Sequence, residues 1–318
     1  MAKTINELIH SLKTTHPDHP AVIFSSPSEE ETTYTSTDIN TYTAHAAHLY
    51  THRYDLHPRS PTHPKTVVGV LAPTTPEYLI TILAIARQGH AVLLLSPRLA
   101  DDVCGYLLRE AGARLLLVGH GRETLYRQVQ KQCPSLVVGG IARHEEYAFQ
   151  TETEISINLD CDREEETVWI LHSSGSTGLP KLVYVTNRSA LARYADAVDL
   201  LGKNTLSTLP MFHAYGMTAV FRMLYCGGRT VQMWNPRVPV TTAALVKAAQ
   251  KRKFGLFATV PAVLKMLAEE EQGVEFLRQF EVVTSGGSPL AEGVGEFLVR
   301  EGIRVVSIYG MFVCPLLM

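Results

Sequence analysis

Short, largely apolar runs recur along this chain, with helix-length segments between them. They stand at 66–71, 91–95, 115–118 and 136–138, and helical patterns are predicted between them over 76–88, 101–111 and 123–132. The rhythm returns at 168–171, 205–209, 229–234, 256–259, 282–284 and 303–308, with helices predicted over 189–197, 241–251, 262–270 and up to Arg300. A strand apolar on both faces must be covered on both faces, and links of helix length join parallel strands, whereas hairpins join antiparallel ones. The fold class is therefore α/β: two βα-alternating lobes with mainly parallel sheets covered by helices. The lobes are expected at 1–143 and 168–318. Between them 144–167 is polar and acidic (Glu145, Glu146, Glu152, Glu154, Asp160, Asp162, Glu164, Glu165, Glu166) and reads as a linker of solvated charge.

The N-terminal part adds detail. Ile5, Leu8, Ile9 and Leu12 recur at helical spacing among polar residues, which predicts a short amphipathic helix rather than a signal peptide. A strand is expected at 21–24, and a second helix after Tyr34-Thr35-Ser36-Thr37-Asp38. His45, His48 and His52 fall on one face of that helix. A metal face is one reading, but such sites come with carboxylates around the histidines, so a polar outer face is preferred. Pro58, Pro61 and Pro64 mark 57–64 as a surface loop.

Composition removes several classes of function. With 29 basic and 31 acidic residues in 318, the formal net charge is −2, and no basic excess recommends nucleic acid or a membrane surface as a partner. The apolar run 79–86 is cut off by Arg87, far short of a bilayer span. The 5 cysteines are scattered without a C-x-x-C pair, which fits a reducing compartment and argues against a disulfide framework or zinc site. A soluble, cytoplasmic protein is expected.

The chemistry concentrates at Ser173-Ser174-Gly175-Ser176-Thr177-Gly178-Leu179-Pro180-Lys181, between the apolar runs 168–171 and 182–185. Serine, threonine and glycine at this density cannot pack a core. They offer hydroxyls, freely turning backbone and N–H groups, a combination suited to anions, and Lys181 adds a mobile positive charge. The expected ligand is a polyphosphate; the plain alternative is a Gly/Ser hairpin with no ligand. A Walker loop needs Gly, four residues, then Gly-Lys-Ser/Thr opening a helix. Here Lys181 follows Pro180 and a strand-like run comes next, so this is not a P-loop.

Those nine residues resemble the signature of the adenylate-forming superfamily, which includes acyl-CoA synthetases, luciferases and nonribosomal-peptide-synthetase adenylation domains. Pro210-Met211-Phe212-His213-Ala214-Tyr215-Gly216 is similar to the family's Pro-x-Phe-His-x-x-Gly segment, and Val260-Pro261-Ala262-Val263-Leu264 to its Val-Pro-x-x-Leu helix. Ser285-Gly286-Gly287-Ser288-Pro289-Leu290 resembles its Gly-Gly-x-x-Leu turn, and Ile308-Tyr309-Gly310-Met311 the start of Tyr-Gly-x-Thr-Glu. Ser96-Pro97-Arg98 is like a loop of the nonribosomal-peptide-synthetase-like carboxylate reductases of fungi.

The resemblance implies ATP-dependent activation of a carboxylic acid, giving acyl-AMP and pyrophosphate, then transfer to CoA or a phosphopantetheine carrier. By resemblance, Ser173, Ser174, Ser176, Thr177 and Lys181, with Gly175 and Gly178 in the same loop, would hold the β- and γ-phosphates. His213 would sit by the reacting carboxylate. Gly286, Gly287 and Tyr309 would contact adenosine, with Ser288, Ile308 and Gly310 flanking them. The family's Thr and its Mg²⁺-holding Glu should follow Met311, yet Phe312 and Val313 stand there. Neither offers the oxygen that a hard cation requires. The expectation is thus an incomplete large N-terminal domain of such an enzyme, truncated before the small C-terminal domain. The competing reading is a non-catalytic fragment that retains at most nucleotide binding.

Overall fold

A six-stranded sheet in the order β6-β5-β3-β4-β7-β8 and a seven-stranded sheet in the order β13-β12-β11-β9-β10-β1-β2 organise the protein. The structure is a computed structural model that describes residues 2–25, 31–120, 129–149, 162–173 and 178–309. In chain order the strands are β1 (Pro20–Phe24), β2 (Thr32–Thr35), β3 (Val67–Leu71), β4 (Ala91–Leu95), β5 (Leu115–Val118), β6 (Val137–Gly140) and β7 (Thr167–His172). They continue as β8 (Leu182–Thr186), β9 (Thr205–Ser207), β10 (Val231–Met233), β11 (Leu256–Thr259), β12 (Val282–Gly286) and β13 (Val305–Ile308). Every pairing is parallel except β8 on β7 and β2 on β1. The α/β class with mainly parallel sheets is what the alternation implied.

The division of the chain differs from the expected one. The first compact unit holds residues 1–17 and 36–192, the second 18–35 and 193–318. Strands β7 and β8 therefore complete the first sheet, through Val92↔Trp169 and Leu93↔Ile170, and do not open a second lobe. Conversely, β1 leaves its neighbours in sequence and lies parallel to β10 through Val22↔Val231 and Phe24↔Met233. Sheet membership is decided by this long-range register, which local apolar patterning does not encode.

In the first unit, Thr75 caps the helix Pro76–Arg87 by accepting from the Tyr78 amide, and Pro76 sits in the first turn, where no N–H is needed. This helix is buried from Tyr78 to Arg87. The Tyr50 hydroxyl meets Thr81 Oγ1 at 2.7 Å and accepts from the Ala142 amide at 3.0 Å, tying the helix Ser36–Tyr54 to both neighbours. Two expectations need correction. His45 lies on the buried side of that helix, 7% exposed, with Nδ1 2.7 Å from the Tyr147 carbonyl, because the helix is covered by the segment His144–Ala148. His48 and His52 stack edge to face at 4.2 Å. The acidic stretch is also not simply solvated: Glu166 pairs with Arg59 and Lys65, and Glu164 and Glu165 pair with Arg188. Asp162 accepts from the buried Asn187 at 2.9 Å.

The second unit packs Phe257, Phe276 and Phe280 with ring centroids 5.0–5.3 Å apart under β11 and β12. Its helices differ from the expected pattern in two places. Ala214–Cys226 is buried continuously from Gly216 to Leu224, so it shows no one-sided apolar stripe by which a helix would be recognised. Pro261–Ala268 matches the helix expected over 262–270, and Glu271–Arg278 is a further helix that was not expected. The helix predicted over 123–132 lies largely outside the described residues. No described helix is long and apolar enough to cross a membrane.

The N-terminal edge of the first sheet carries a pH-sensitive joint. His90 is 3% exposed; its Nδ1 accepts from the Thr66 amide at 3.2 Å while Nε2 donates to the His57 carbonyl at 2.8 Å. This pattern needs a neutral ring. Burial first, then the charges of Lys65 and Arg59, push its pKa from 6.5 down to about 4. The unfolded chain therefore binds the proton more readily. The associated stability is complete above pH 6.5 and is lost as pH falls towards 4, by about 3 kcal/mol. Urea unfolding from pH 7.5 to 4 should show this loss, and His90→Asn should remove about one proton from the slope.

Candidate functional site

Parallel strands put all their C-terminal ends on one edge of the sheet, and ligands of α/β proteins bind there. In the first unit the candidate loop leaves the C-terminal end of β7. Its two roots are joined reciprocally: the Ser173 amide donates to the Lys181 carbonyl at 2.9 Å, and the Lys181 amide donates to Ser173 Oγ at 2.9 Å. The antiparallel pairs His172↔Leu182 and Leu171↔Val183 continue from that closure. A strand, not a helix, thus follows the lysine. Gly178, Leu179 and Lys181 are exposed and Pro180 is buried. Gly178 has φ 148° with nothing within 4 Å of where a Cβ would stand, so the loop is open to solvent at this point. Ser174, Gly175, Ser176 and Thr177 lie outside the described residues.

One strand over, β4 ends in Ser96-Pro97-Arg98. Ser96 Oγ accepts from the Arg98 amide at 3.3 Å and the Ser96 carbonyl from the Leu99 amide at 3.1 Å, making a turn that leaves Arg98 exposed. His172 joins this turn to the loop root. Its Nε2 is 3.3 Å from the Ser96 amide and its Nδ1 is 3.2 Å from the Ser173 carbonyl. Burial lowers its pKa, with the Ser173 carbonyl pulling the other way. Sequence reasoning misses His172 by treating it as the last residue of an apolar strand. The signal is present all the same: an ionisable ring ends an otherwise apolar run.

In the second unit, β9, β11, β12 and β13 end on one edge. Past β9, Pro210–Phe212 lead to His213, which is exposed and occupies the N-cap of Ala214–Cys226 without capping it through its side chain. Its ring meets the buried Phe212 ring at 4.8 Å. Gly216 is required here by packing, since a Cβ would lie 2.1 Å from the Pro210 carbonyl oxygen. Past β11, Thr259 Oγ1 and Thr208 Oγ1 share a 2.7 Å hydrogen bond. Leu264 of the following helix is fully buried and packs in the core.

The strands β12 and β13 bring Gly286 opposite Ile308, so the turn Gly286-Gly287-Ser288 lies beside Tyr309. Tyr309 is 62% exposed, an aromatic face offered to solvent at a strand end. Gly310 lies outside the described residues. The two glycines differ in kind. A Cβ on Gly286 would stand 2.9 Å and 3.0 Å from ring carbons of Tyr215, whereas Gly287 has open space but φ 92°. The missing Cβ at Gly286 therefore makes room for the Tyr215 ring. Tyr215 OH donates to Thr284 Oγ1 at 2.6 Å, and burial raises its pKa. Through Tyr215 the helix that begins after His213 is fastened under the glycine turn. Ser285 Oγ beside it is buried without a hydrogen-bond partner.

A cavity of about 620 Å³ opens at the opposite, N-terminal edge of this sheet, with Lys203, Arg229, Lys253 and Glu281 in its lining. Two of its cations are already engaged, Lys203 with Glu281 at 2.6 Å and Arg229 Nε with the Gly202 carbonyl at 3.1 Å. It has no part in the strand-end site. Among the described residues no group of three or more His, Cys, Asp and Glu side chains could hold a metal ion.

Comparison with known proteins places these features in context. The family described as AMP-binding enzyme matches residues 10–312. The chain is 27% identical over 241 residues to an adenylate-forming reductase of Stachybotrys bisbyi, covering 71% of this chain and 22% of that protein. It is 23% identical to a long-chain-fatty-acid–CoA ligase of Mycobacterium tuberculosis, covering 77% of this chain and 49% of the ligase. The chain thus spans about a fifth of the fungal relatives it matches. In fold it is similar to the N-terminal domain of FACL13 from Mycobacterium tuberculosis, with TM-score 0.81, 21% identity, and coverage of 98% of this chain and 76% of that one. The N-terminal subdomain of Klebsiella oxytoca NpsA, in complex with 3-hydroxyanthranilyl-AMSN, superposes with TM-score 0.77 and 18% identity over 98% of this chain and 73% of that one.

The two glycines give a direct test. Gly286→Ala should destabilise by roughly 1–3 kcal/mol through overpacking against the ring, and Gly287→Ala by about 1–2 kcal/mol through backbone strain. In denaturant titrations, a Tyr215→Ala background should relieve the first cost and leave the second unchanged.

Proposed function

The chain belongs to the AMP-binding enzyme family, and from that premise we propose that it carries the nucleotide-handling region of an ATP-dependent, carboxylate-activating enzyme. The observation that carries this reading is the closure of residues 173–181 by the Ser173–Lys181 pair at the C-terminal end of β7. It fastens a Ser/Thr/Gly-rich loop at both roots and leaves Lys181 exposed. In this reading the loop and Lys181 take the β- and γ-phosphates by charge-assisted hydrogen bonds. The turn Gly286-Gly287-Ser288 has open space at Gly287, and the exposed Tyr309 ring offers a stacking surface for adenine.

The proposed reaction begins with attack of a carboxylate oxygen on the α-phosphorus. The new P–O bond gives acyl-AMP, and the bond to the β-phosphate oxygen breaks to release pyrophosphate. His213, exposed past β9, would donate a hydrogen bond to charge developing at the carboxylate and α-phosphate. Transfer of the acyl group to a carrier thiol or CoA would follow, and the fungal reductases among the relatives favour the carrier. The residues present do not fit Mg²⁺: positions 312 and 313 are Phe and Val, and no described cluster replaces them. The metal therefore takes no part in the steps proposed. Those two residues also favour a second reading, in which the chain binds nucleotide without turnover.

Calorimetric titration of ATP tests the binding. Lys181→Ala should weaken ATP by about ten- to a hundredfold, the usual worth of a charged hydrogen bond, while circular dichroism stays unchanged. Equal affinity in variant and wild type would remove the phosphate-loop assignment. Carboxylate-dependent exchange of labelled pyrophosphate into ATP, abolished in His213→Ala, supports the catalytic reading; its absence alongside tight ATP binding supports the other.

A further inference from the structure

The ladder between β4 and β7 ends before its strands do. Pairing runs through Val92↔Trp169 and Leu93↔Ile170, while the strands continue to Leu95 and His172. Beyond that point a parallel ladder would supply the next backbone acceptor. Ser96 is 6% exposed, so its amide has little recourse to water. It is met instead by the imidazole of His172, itself 7% exposed. The two ring contacts specify one form of the side chain. Facing an N–H, Nε2 must carry a lone pair; facing a carbonyl, Nδ1 must carry the proton. Only the neutral Nδ1–H tautomer satisfies both.

We propose that His172 is a positioning residue for the loop leaving β7: as the neutral Nδ1–H imidazole it clasps the Ser96 amide to the Ser173 carbonyl. This rests on the phosphate-loop reading of residues 173–181. The Ser173 peptide is held on one side by this clasp and on the other by Lys181, so the loop starts from a fixed point. The same contact orders the Ser96 turn, whose hydroxyl and carbonyl hold the Arg98 and Leu99 amides. A loop anchored in advance loses less freedom on gripping a triphosphate, so the clasp acts on affinity for the β- and γ-phosphates rather than for the nucleoside.

The experiment compares ATP and AMP, which differ in the phosphates concerned, by calorimetry on wild type, His172→Leu and His172→Gln. Leucine keeps the apolar volume and loses both bonds; glutamine restores an acceptor. We expect His172→Leu to weaken ATP by roughly five- to tenfold, with AMP changed by less than about twofold, and His172→Gln to recover most of the loss. Long-range ¹H–¹⁵N correlation of the wild-type ring should show the Nδ1–H tautomer at neutral pH. An unchanged ATP-to-AMP ratio in folded His172→Leu overturns the inference, as does an Nε2–H or cationic ring. Should His172→Leu fail to fold, the ring spectrum and His172→Gln decide in the same way. Failure of the underlying reading looks different: wild type and Lys181→Ala would then bind ATP equally, and the inference falls with it.

Discussion

Parallel pairing is the constraint on which the rest depends. A strand that must run in the same direction as its neighbour can be reached only by a crossover, and every crossover leaves from the same edge of the sheet. In the second unit this puts Thr208, Thr259, Gly286 and Tyr309 in a row past β9, β11, β12 and β13. In the first it puts the Ser96 turn beside the root of the Ser173 loop. These strands are mostly apolar along their length, and hydroxyls, glycines and the exposed His213 and Tyr309 gather at or just past their ends. The single antiparallel strand of the first sheet, β8, acts differently, returning the chain immediately and closing the loop on itself.

What lies just behind these strand ends is packed as tightly as the core. Gly216 is pressed against the Pro210 carbonyl, and Gly286 against the Tyr215 ring. Both contacts tie the helix Ala214–Cys226 to the sheet edge, one at its start and one through a side chain in its first turn. The Tyr215–Thr284 hydrogen bond fixes the ring in place. The position of His213 is thus set in part by Gly216 and Gly286, because a Cβ at either place would have to displace backbone or the Tyr215 ring.

Two histidines in the first unit use one device at opposite edges of the same sheet. His90 joins Thr66 to His57 before the strands begin, and His172 joins Ser96 to Ser173 where they end. Each ring meets one backbone N–H and one carbonyl, and burial lowers the pKa of each. A ring with one donor and one acceptor can close a gap between backbones that have stopped pairing, which no aliphatic side chain can do. At these two points side chains add to the backbone bonds that join the strand ends.

Local pattern in the sequence determined a great deal. Apolar runs marked some strands nearly to the residue, as at Ala91–Leu95 and Leu256–Thr259, because strands buried on both faces are predominantly apolar. The Ser/Thr/Gly loop with Lys181 stood out because such residues cannot pack a core, whereas the glycine turn at 286–287 and Tyr309 stood out only through resemblance to the adenylate-forming superfamily. Only the tertiary structure decided which sheet each strand joins, since β1 against β10 and β7 against β4 are contacts between segments remote in sequence. It also decided which polar residues are buried. His45, His90 and His172 carry the same letter as the exposed His213, and what separates them is whether the fold covers the ring.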